Sequence, residues 1–211
     1  MLKFLAIISV TVSVVTAQEL SPSELLDRVR STYASMNDAS ALFTQSVSMR
    51  YKKTVHYTTG SVKIKKGNKY RLETEKQSIV TDGISVWMYS PETKQVLKDK
   101  FKNNNKLFSP DAFLAGIPKE YSVTTVVKDS QYFILSLVPA KSGESSTLIA
   151  GLKIWVHPES WFFDKIEIIN TNNTTTTITL SNILFNKGIP DKEFHFEILG
   201  DMKVVDLTAM Q

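Results

Sequence analysis

Polar and apolar positions alternate along most of this chain, with two departures from that rhythm. The first runs from Ser21 to Met36, where Leu25, Leu26, Val29, Tyr33 and Met36 recur at the spacing of one helix face. Ser21-Pro22-Ser23-Glu24 supplies its start: a serine cap, a proline at the first helical position and a glutamate that completes an S-x-x-E capping box. Asn37-Asp38 ends it, and from Ala41 the period falls to two. Segments at 43–51, 57–66, 69–75, 78–81, 85–89 and 94–98 are short, rich in β-branched and aromatic residues, and joined by turn chemistry, with Gly67-Asn68 and Asp82-Gly83 as hairpin signals. The second departure follows Asn103-Asn104-Asn105: Ser109-Pro110-Asp111 opens a short helix through Ala112, Phe113, Leu114 and Ala115 that Gly116 and Pro118 close. Strands resume at 121–127 and recur to 175–180, with a last one around 194–198.

Connections of two to four residues force antiparallel pairing, because parallel neighbours need long crossovers. About ten or eleven strands in one antiparallel sheet must curl or close. One long and one short helix are enough to cover one face. The expected fold is α+β: a curved, unclosed antiparallel β-barrel with a helical lid over an apolar cavity. No repeat or linker interrupts residues 18–211, so they read as one domain.

The apolar runs sharpen this picture. Trp87-Met88-Tyr89 and Trp161-Phe162-Phe163 break the alternation of a half-exposed strand, and residues 132–135 do the same. Such runs mean either that both faces are covered or that one lines a cavity. The pattern alone fits an ordinary two-sided core equally well.

At the N-terminus Lys3 precedes an apolar stretch from Phe4 to Val15, and Val15-Thr16-Ala17 offers small residues for cleavage. This is the pattern of a secretory signal peptide over residues 1–17, cut after Ala17. The apolar stretch of about 12 residues is short of the roughly 20 that span a bilayer. Gln18 stands where a lipoprotein would carry cysteine. The expectation is an exported chain that is not itself lipidated.

Composition removes several kinds of chemistry. The 211 residues include no cysteine, which excludes disulfides, thiolate metal sites and a thiol nucleophile. The 25 basic and 21 acidic residues are interleaved, crowding only at Lys63, Lys65, Lys66 and Lys69, so no nucleic-acid stripe is expected. His56, His157 and His195 lie far apart, on or beside strands, and read as hydrogen-bonded structural histidines. No phosphate loop, nucleophile elbow or dinucleotide fingerprint is present, and neither an enzyme, a cofactor nor a metal is expected. Asn172-Asn173-Thr174-Thr175 holds two overlapping glycosylation acceptors, read here as a polar turn into a threonine-rich edge strand.

Residues 60–96 are more distinctive. Gly60, Lys65-Lys66, Tyr70-Arg71, Ile79-Val80, Asp82-Gly83, Trp87, Tyr89, Pro91 and Gln95-Val96 stand in the order of a glycine-led strand, a basic turn, an aromatic–Arg strand and an I-V-x-D-G-x-x-x-W-x-Y-x-P segment. This pattern strongly resembles the periplasmic outer-membrane lipoprotein carrier family, LolA. Phe43-Thr44-Gln45 fits that family's F-x-Q strand, and residues 190–196 with Gly200 and Val204-Val205 are similar to its closing strand. The resemblance implies an open barrel of about eleven strands that holds the acyl chains of triacylated lipoproteins. It also implies an inner-membrane release complex as donor and an outer-membrane acceptor, with the carrier itself monomeric and periplasmic. A carrier of another lipid, a glycolipid or phospholipid, fits the same scaffold. A secreted hydrolase is disfavoured for want of a recognisable nucleophile or acid–base pair.

The family's register gives the expected ligand-binding residues. An arginine at its basic turn holds the lid; Lys66 matches it here, keeping the charge but not the fork of donors, and reads equally as a solvated turn lysine. Strand parity sets Val62 and Ile64 on the face of Lys66, with Tyr70 and Leu72 also inward. Trp87 and Tyr89 share one face, left open between cavity and exterior. Phe113 and Leu114 belong to the short helix that caps the mouth.

Overall fold

The computed structural model describes residues 20–49, 52–101, 117, 121–139 and 149–208. The signal segment, the short helix and its residues Phe113 and Leu114 lie outside the described residues.

The first helix, α1 (Pro22–Ser35), starts as its sequence dictates. The Ser21 hydroxyl accepts from the Glu24 amide at 3.3 Å, and the Glu24 carboxylate accepts from the Ser21 amide at 2.7 Å. Twelve strands follow: β1 (Asp38–Met49), β2 (Lys52–Lys65), β3 (Lys69–Thr74), β4 (Ser78–Asp82), β5 (Ser85–Ser90), β6 (Gln95–Lys100), β7 (Tyr121–Lys128), β8 (Phe133–Pro139), β9 (Ile149–Val156), β10 (Phe163–Asn170), β11 (Thr174–Phe185) and β12 (Lys203–Asp206). They form one sheet in the order β12-β6-β5-β4-β3-β2-β1-β11-β10-β9-β8-β7. Its two ends, β12 and β7, are not paired with each other, so the sheet is unclosed. Two meanders, β1–β6 and β7–β11, are joined by pairing β1 with β11. Gly67 (φ 91°) and Asn68 (φ 59°) both take the left-handed conformation in the three-residue connection, Lys66 to Asn68, between β2 and β3.

One apolar core holds the helix against the sheet. Leu25, Leu26, Val29 and Tyr33 of α1 belong to one apolar cluster with Leu72 of β3 and Leu135 of β8, strands six places apart in the sheet. The sheet is curved and unclosed, and the face that carries this cluster and packs on α1 is its concave one. The Tyr33 ring stacks on Phe163 at 4.8 Å, and Arg30 donates to the Tyr121 carbonyl at 2.7 Å, tying α1 to β7.

Four sequence expectations change. Residues 194–198 are not a strand: a 3-10 helix (Asp191–Phe194) occupies their start, and the closing strand is β12. Phe194 and Phe196 alternate as a strand would, but Arg71 claims the intervening backbone, donating to the carbonyls of Glu193 (2.6 Å) and His195 (2.9 Å) in place of a neighbouring strand. The sheet is also not wholly antiparallel, since β12 returns parallel to β6. The long stretch of chain between those two strands permits that crossover. Trp161 (φ 60°) and Phe162 precede β10, so three consecutive aromatics reach the core side: Trp161 stacks on Phe133 at 5.9 Å and Phe162 on Phe185 at 3.6 Å. Last, the threonine-rich strand β11 is interior, between β1 and β10, not an edge. Asn172 and Asn173 form the turn before it, the Asn172 carbonyl oxygen accepting from the Thr174 amide at 3.0 Å.

Candidate functional site: the concave face

Directly paired residues in a sheet share a face, so the register reads the surface out row by row. One row is Val126–Leu135–Ile154–Ile166–Ile178, crossing β7 to β11. A second is Ala41–Val62–Leu72–Ile79–Met88–Leu97, crossing β1 to β6. Every member is apolar. The rows on the opposite face run Lys63–Arg71–Val80–Trp87–Lys98 and, over β9 to β1, Lys153–Glu167–Thr177–Ser46. Strands β1 to β11 thus carry an aliphatic surface inside, and the rows traced outside are largely polar.

Cover over the concave face is uneven. Val62 and Leu72 are buried, Ile79 is half-buried, and Met88 at the far side is 38% exposed. The helix lies over the β7–β10 side, so among the described residues the β5–β6 side is the less covered end of the trough. Tyr70 and Ile64 are paired on this face, and Tyr70 meets Phe101 edge-on at 6.4 Å. Four of the expected ligand residues, Val62, Ile64, Tyr70 and Leu72, are therefore neighbours on the concave side.

Trp87 and Tyr89 are elsewhere. They lie on the convex face, where Trp87 joins Val80, Val96 and Phe196 in a second, smaller core. The His195 ring meets Trp87 edge-on at 5.6 Å, and Phe196 lies 5.7 Å from Tyr89. Lys66 sits in the β2–β3 turn with an exposed side chain, while its backbone amide donates to the Asn37 carbonyl at 2.9 Å.

The C-terminal segment that covers Trp87 also accounts for the crowded lysines. Lys65 and Lys69 both reach Asp191, at 2.7 and 2.6 Å, and Lys63 reaches Glu193 at 2.8 Å. These cations face a segment of their own chain. They hold the Asp191 carboxyl down from its ordinary 3.8 to about 2, and Lys63 lowers Glu193 in the same way. Both carboxylates have depressed values in the fold, so their contribution is present above about pH 4 and is lost as pH falls toward 2. The 189–196 segment should accordingly loosen on acidification through that window, and amide hydrogen exchange at Glu193 and His195 should rise there before the concave core yields. Exchange that stays unchanged to pH 2 would mean that Phe194 and Phe196 alone hold the segment.

Of the three histidines, His157 bonds Asp164 at 2.9 Å, and Tyr132 donates to the same carboxylate oxygen at 3.1 Å. Removal from water and the Asp164 charge push the Tyr132 hydroxyl up. The group ties the β7–β8 turn to the start of β10. Among the described residues no group of three or more His, Asp or Glu stands close enough to hold a metal ion, and no helix is long and apolar enough to cross a membrane.

Comparison with known proteins bears directly on this geometry. The family model described as outer membrane lipoprotein carrier protein LolA matches residues 34–197. An uncharacterized protein of Methanocaldococcus jannaschii is 25% identical over 202 residues, covering 92% of this chain and 56% of that protein. The chain thus spans just over half of that relative's length. An outer-membrane lipoprotein carrier protein of Methylobacillus flagellatus is 23% identical over 212 residues, covering 97% of this chain and 99% of that protein. Among solved structures, an uncharacterized conserved protein from Thermus thermophilus superposes with a TM-score of 0.56 at 12% identity, covering 87% of this chain and 98% of that one. That likeness speaks for the fold alone.

Proposed function

Because the chain belongs to the outer membrane lipoprotein carrier family, LolA, we propose that it is a periplasmic carrier that takes up the acyl chains of lipoproteins released from the inner membrane and delivers them to the outer membrane. The observation that carries this reading is the aliphatic row Ala41–Val62–Leu72–Ile79–Met88–Leu97, which runs from deep burial to an open end. An acyl chain loses about 0.8 kcal/mol of favourable burial for each methylene left in water. A triacylated protein therefore crosses an aqueous compartment only inside something like this trough. Binding and release suffice; the role asks for no catalytic step.

In this reading Val62, Ile64, Tyr70 and Leu72 form the floor, and Met88 and Leu97 the approach to it. Phe113 and Leu114, which lie outside the described residues, are assigned by the family resemblance to the lid, and Lys66 in the β2–β3 turn to its latch. The signal segment ends at Ala17 and sends the chain to the periplasm. The donor is an inner-membrane release complex, and the acceptor lies at the outer membrane.

The test is native mass spectrometry of gently purified protein, followed by binding of a triacylated lipopeptide to the Met88→Asp and Leu97→Asp variants. Both positions are partly exposed, so the fold survives the added carboxylate. Each variant should bind the lipopeptide about tenfold more weakly, because the acyl chain would strip water from a charge. A co-purifying lipoprotein supports the proposal. Co-purifying phospholipid or glycolipid alone assigns the same face to another lipid, and lipopeptide binding indifferent to both substitutions removes the trough from the mechanism.

A further inference from the structure

Strands β10 and β11 are joined by Thr171, Asn172 and Asn173, all exposed at the tip of their hairpin. Local bonds fix this turn. The Asn173 amide donates to the Asn170 carbonyl at 3.1 Å. The Asn172 carboxamide accepts twice from Thr174, from its amide at 3.0 Å and from its hydroxyl at 2.7 Å. Asn170 in turn donates from Nδ2 to the Thr174 hydroxyl oxygen at 2.9 Å. A backbone amide only donates, so the Asn172 atom facing Thr174 is Oδ1. Its Nδ2 amino group is therefore the atom turned away from Thr174, on an exposed side chain.

Asparagine, any residue but proline, then serine or threonine is the pattern read by enzymes that attach a glycan to asparagine. The whole sequence contains that pattern twice, and the two overlap: Asn172-Asn173-Thr174 and Asn173-Thr174-Thr175. Spacing alone does not choose between them, but the fold does. The first lies in the turn and ends on the opening residue of β11, with Asn172 and Thr174 side by side. Thr174 is paired on one side, with Met49 of β1. The second ends on Thr175, which is paired on both sides, with Ser48 of β1 and Ile169 of β10. The Thr175 carbonyl also accepts from the Ser48 hydroxyl at 3.4 Å. An enzyme that grasps Asn173 and Thr175 together must draw β11 out from between two neighbours, whereas Asn172 and Thr174 are offered at the tip.

We propose that Asn172 is the attachment site of an N-linked glycan, taken from a polyprenyl-diphosphate-linked sugar once the chain has left the cytoplasm. In the transfer, Asn172 Nδ2 forms a bond to the anomeric carbon as the bond from that carbon to the diphosphate oxygen breaks. The electron pair leaves with the diphosphate, and Nδ2 gives up one of its two protons; nothing is oxidised or reduced. The inference rests on the export proposed above and on nothing that the concave face carries.

Peptide mass spectrometry of the protein purified from its own organism tests it. Trypsin cuts after Lys165 and Lys187, so one peptide, 166–187, holds both patterns. Fragmentation that keeps the glycan on its residue should find it on Asn172. Expressed in the same organism, Asn172→Gln and Thr174→Ala should lose the glycan altogether. Thr174→Ser, which keeps the hydroxyl, should retain part of it, and Thr175→Ala should retain all. Circular dichroism of each variant checks that these substitutions leave the fold intact. The N-terminus read in the same spectra separates two ways of failing. A bare Asn172 in a chain that lacks residues 1–17 overturns the glycan and leaves export standing. A bare Asn172 in a chain that still carries them overturns export, and the glycan falls with it. A glycan on Asn173, kept by Thr174→Ala and lost by Thr175→Ala, overturns the assignment to Asn172.

Discussion

Replacing Asp38 with alanine should destabilise the protein by about 3–5 kcal/mol, the range for breaking a buried charged hydrogen-bond set from one side. Asp38 is the first residue of β1 and is 3% exposed. Its carboxylate accepts from the amides of Lys187 (2.9 Å), Gly188 (3.0 Å) and Ile189 (3.4 Å), and its own carbonyl accepts from the Asn186 amide at 2.9 Å. One side chain thus caps the turn that leads from β11 into the C-terminal segment. Alanine would leave those partly buried donors without an acceptor, and an unpaired donor costs more than the bond itself contributes. Asparagine keeps one acceptor oxygen and should recover part of the loss. Equilibrium unfolding in urea measures both. A loss below about 1 kcal/mol would assign the turn to its other tether, the Lys65 ammonium on the Ile189 carbonyl at 2.7 Å.

Trp87→Ala should also cost about 3–5 kcal/mol, yet leave lipopeptide affinity unchanged when measured well below the unfolding transition. The indole is 6% exposed and sealed by Val80, Val96, His195 and Phe196 on the convex side. Its truncation opens a cavity beneath the C-terminal segment, with the sheet itself separating that cavity from the trough. The neighbouring Met88, one residue away and on the other face, should show the reverse: little loss of stability and a large loss of binding when made acidic. A Trp87→Ala variant that keeps its stability but loses lipopeptide would put the ligand on the convex face and reverse the assignment of the two surfaces.

Much of this arrangement is legible in the chain. The S-x-x-E box and apolar spacing give α1, and Gly67-Asn68 and Asp82-Gly83 set the two hairpins. Val62 and Ile64 follow by parity and Tyr70 and Leu72 by the family's register, and the three-residue connection between β2 and β3 sets Lys65 opposite Lys69, which brings all four to one face. The same logic fails one hairpin later. Turning from β3 to β4 takes residues 75–77, held by Thr74, whose hydroxyl oxygen accepts from the amides of Lys76 (3.3 Å) and Gln77 (3.0 Å). Nothing in the string Thr-Glu-Lys-Gln announces that length, and one residue more or less would move Trp87 to the other face. The C-terminal segment misleads for a related reason. Phe194-His195-Phe196 has the rhythm of a strand, and only the tertiary partner, Arg71, decides that its carbonyls bond a guanidinium. Lysines 63, 65 and 69 show the converse. They crowd together in sequence with no acidic partner nearby in the chain, and distant Asp191 and Glu193 satisfy them.

The seam between β1 and β11 governs how such a chain can acquire its structure. Within each meander every pairing joins near neighbours, so β2–β6 and β7–β10 can form from short loops soon after their residues become free. The seam joins residues 39–49 to 174–185, a closure whose entropy must be met before any of its bonds form. A chain that emerges N-terminus first therefore holds its concave face as two separate halves until β11 is present, and the 187–189 turn that docks on Asp38 follows directly after it. Completion of the trough is thereby a late event of folding, and a half-emerged chain has no assembled concave face to offer.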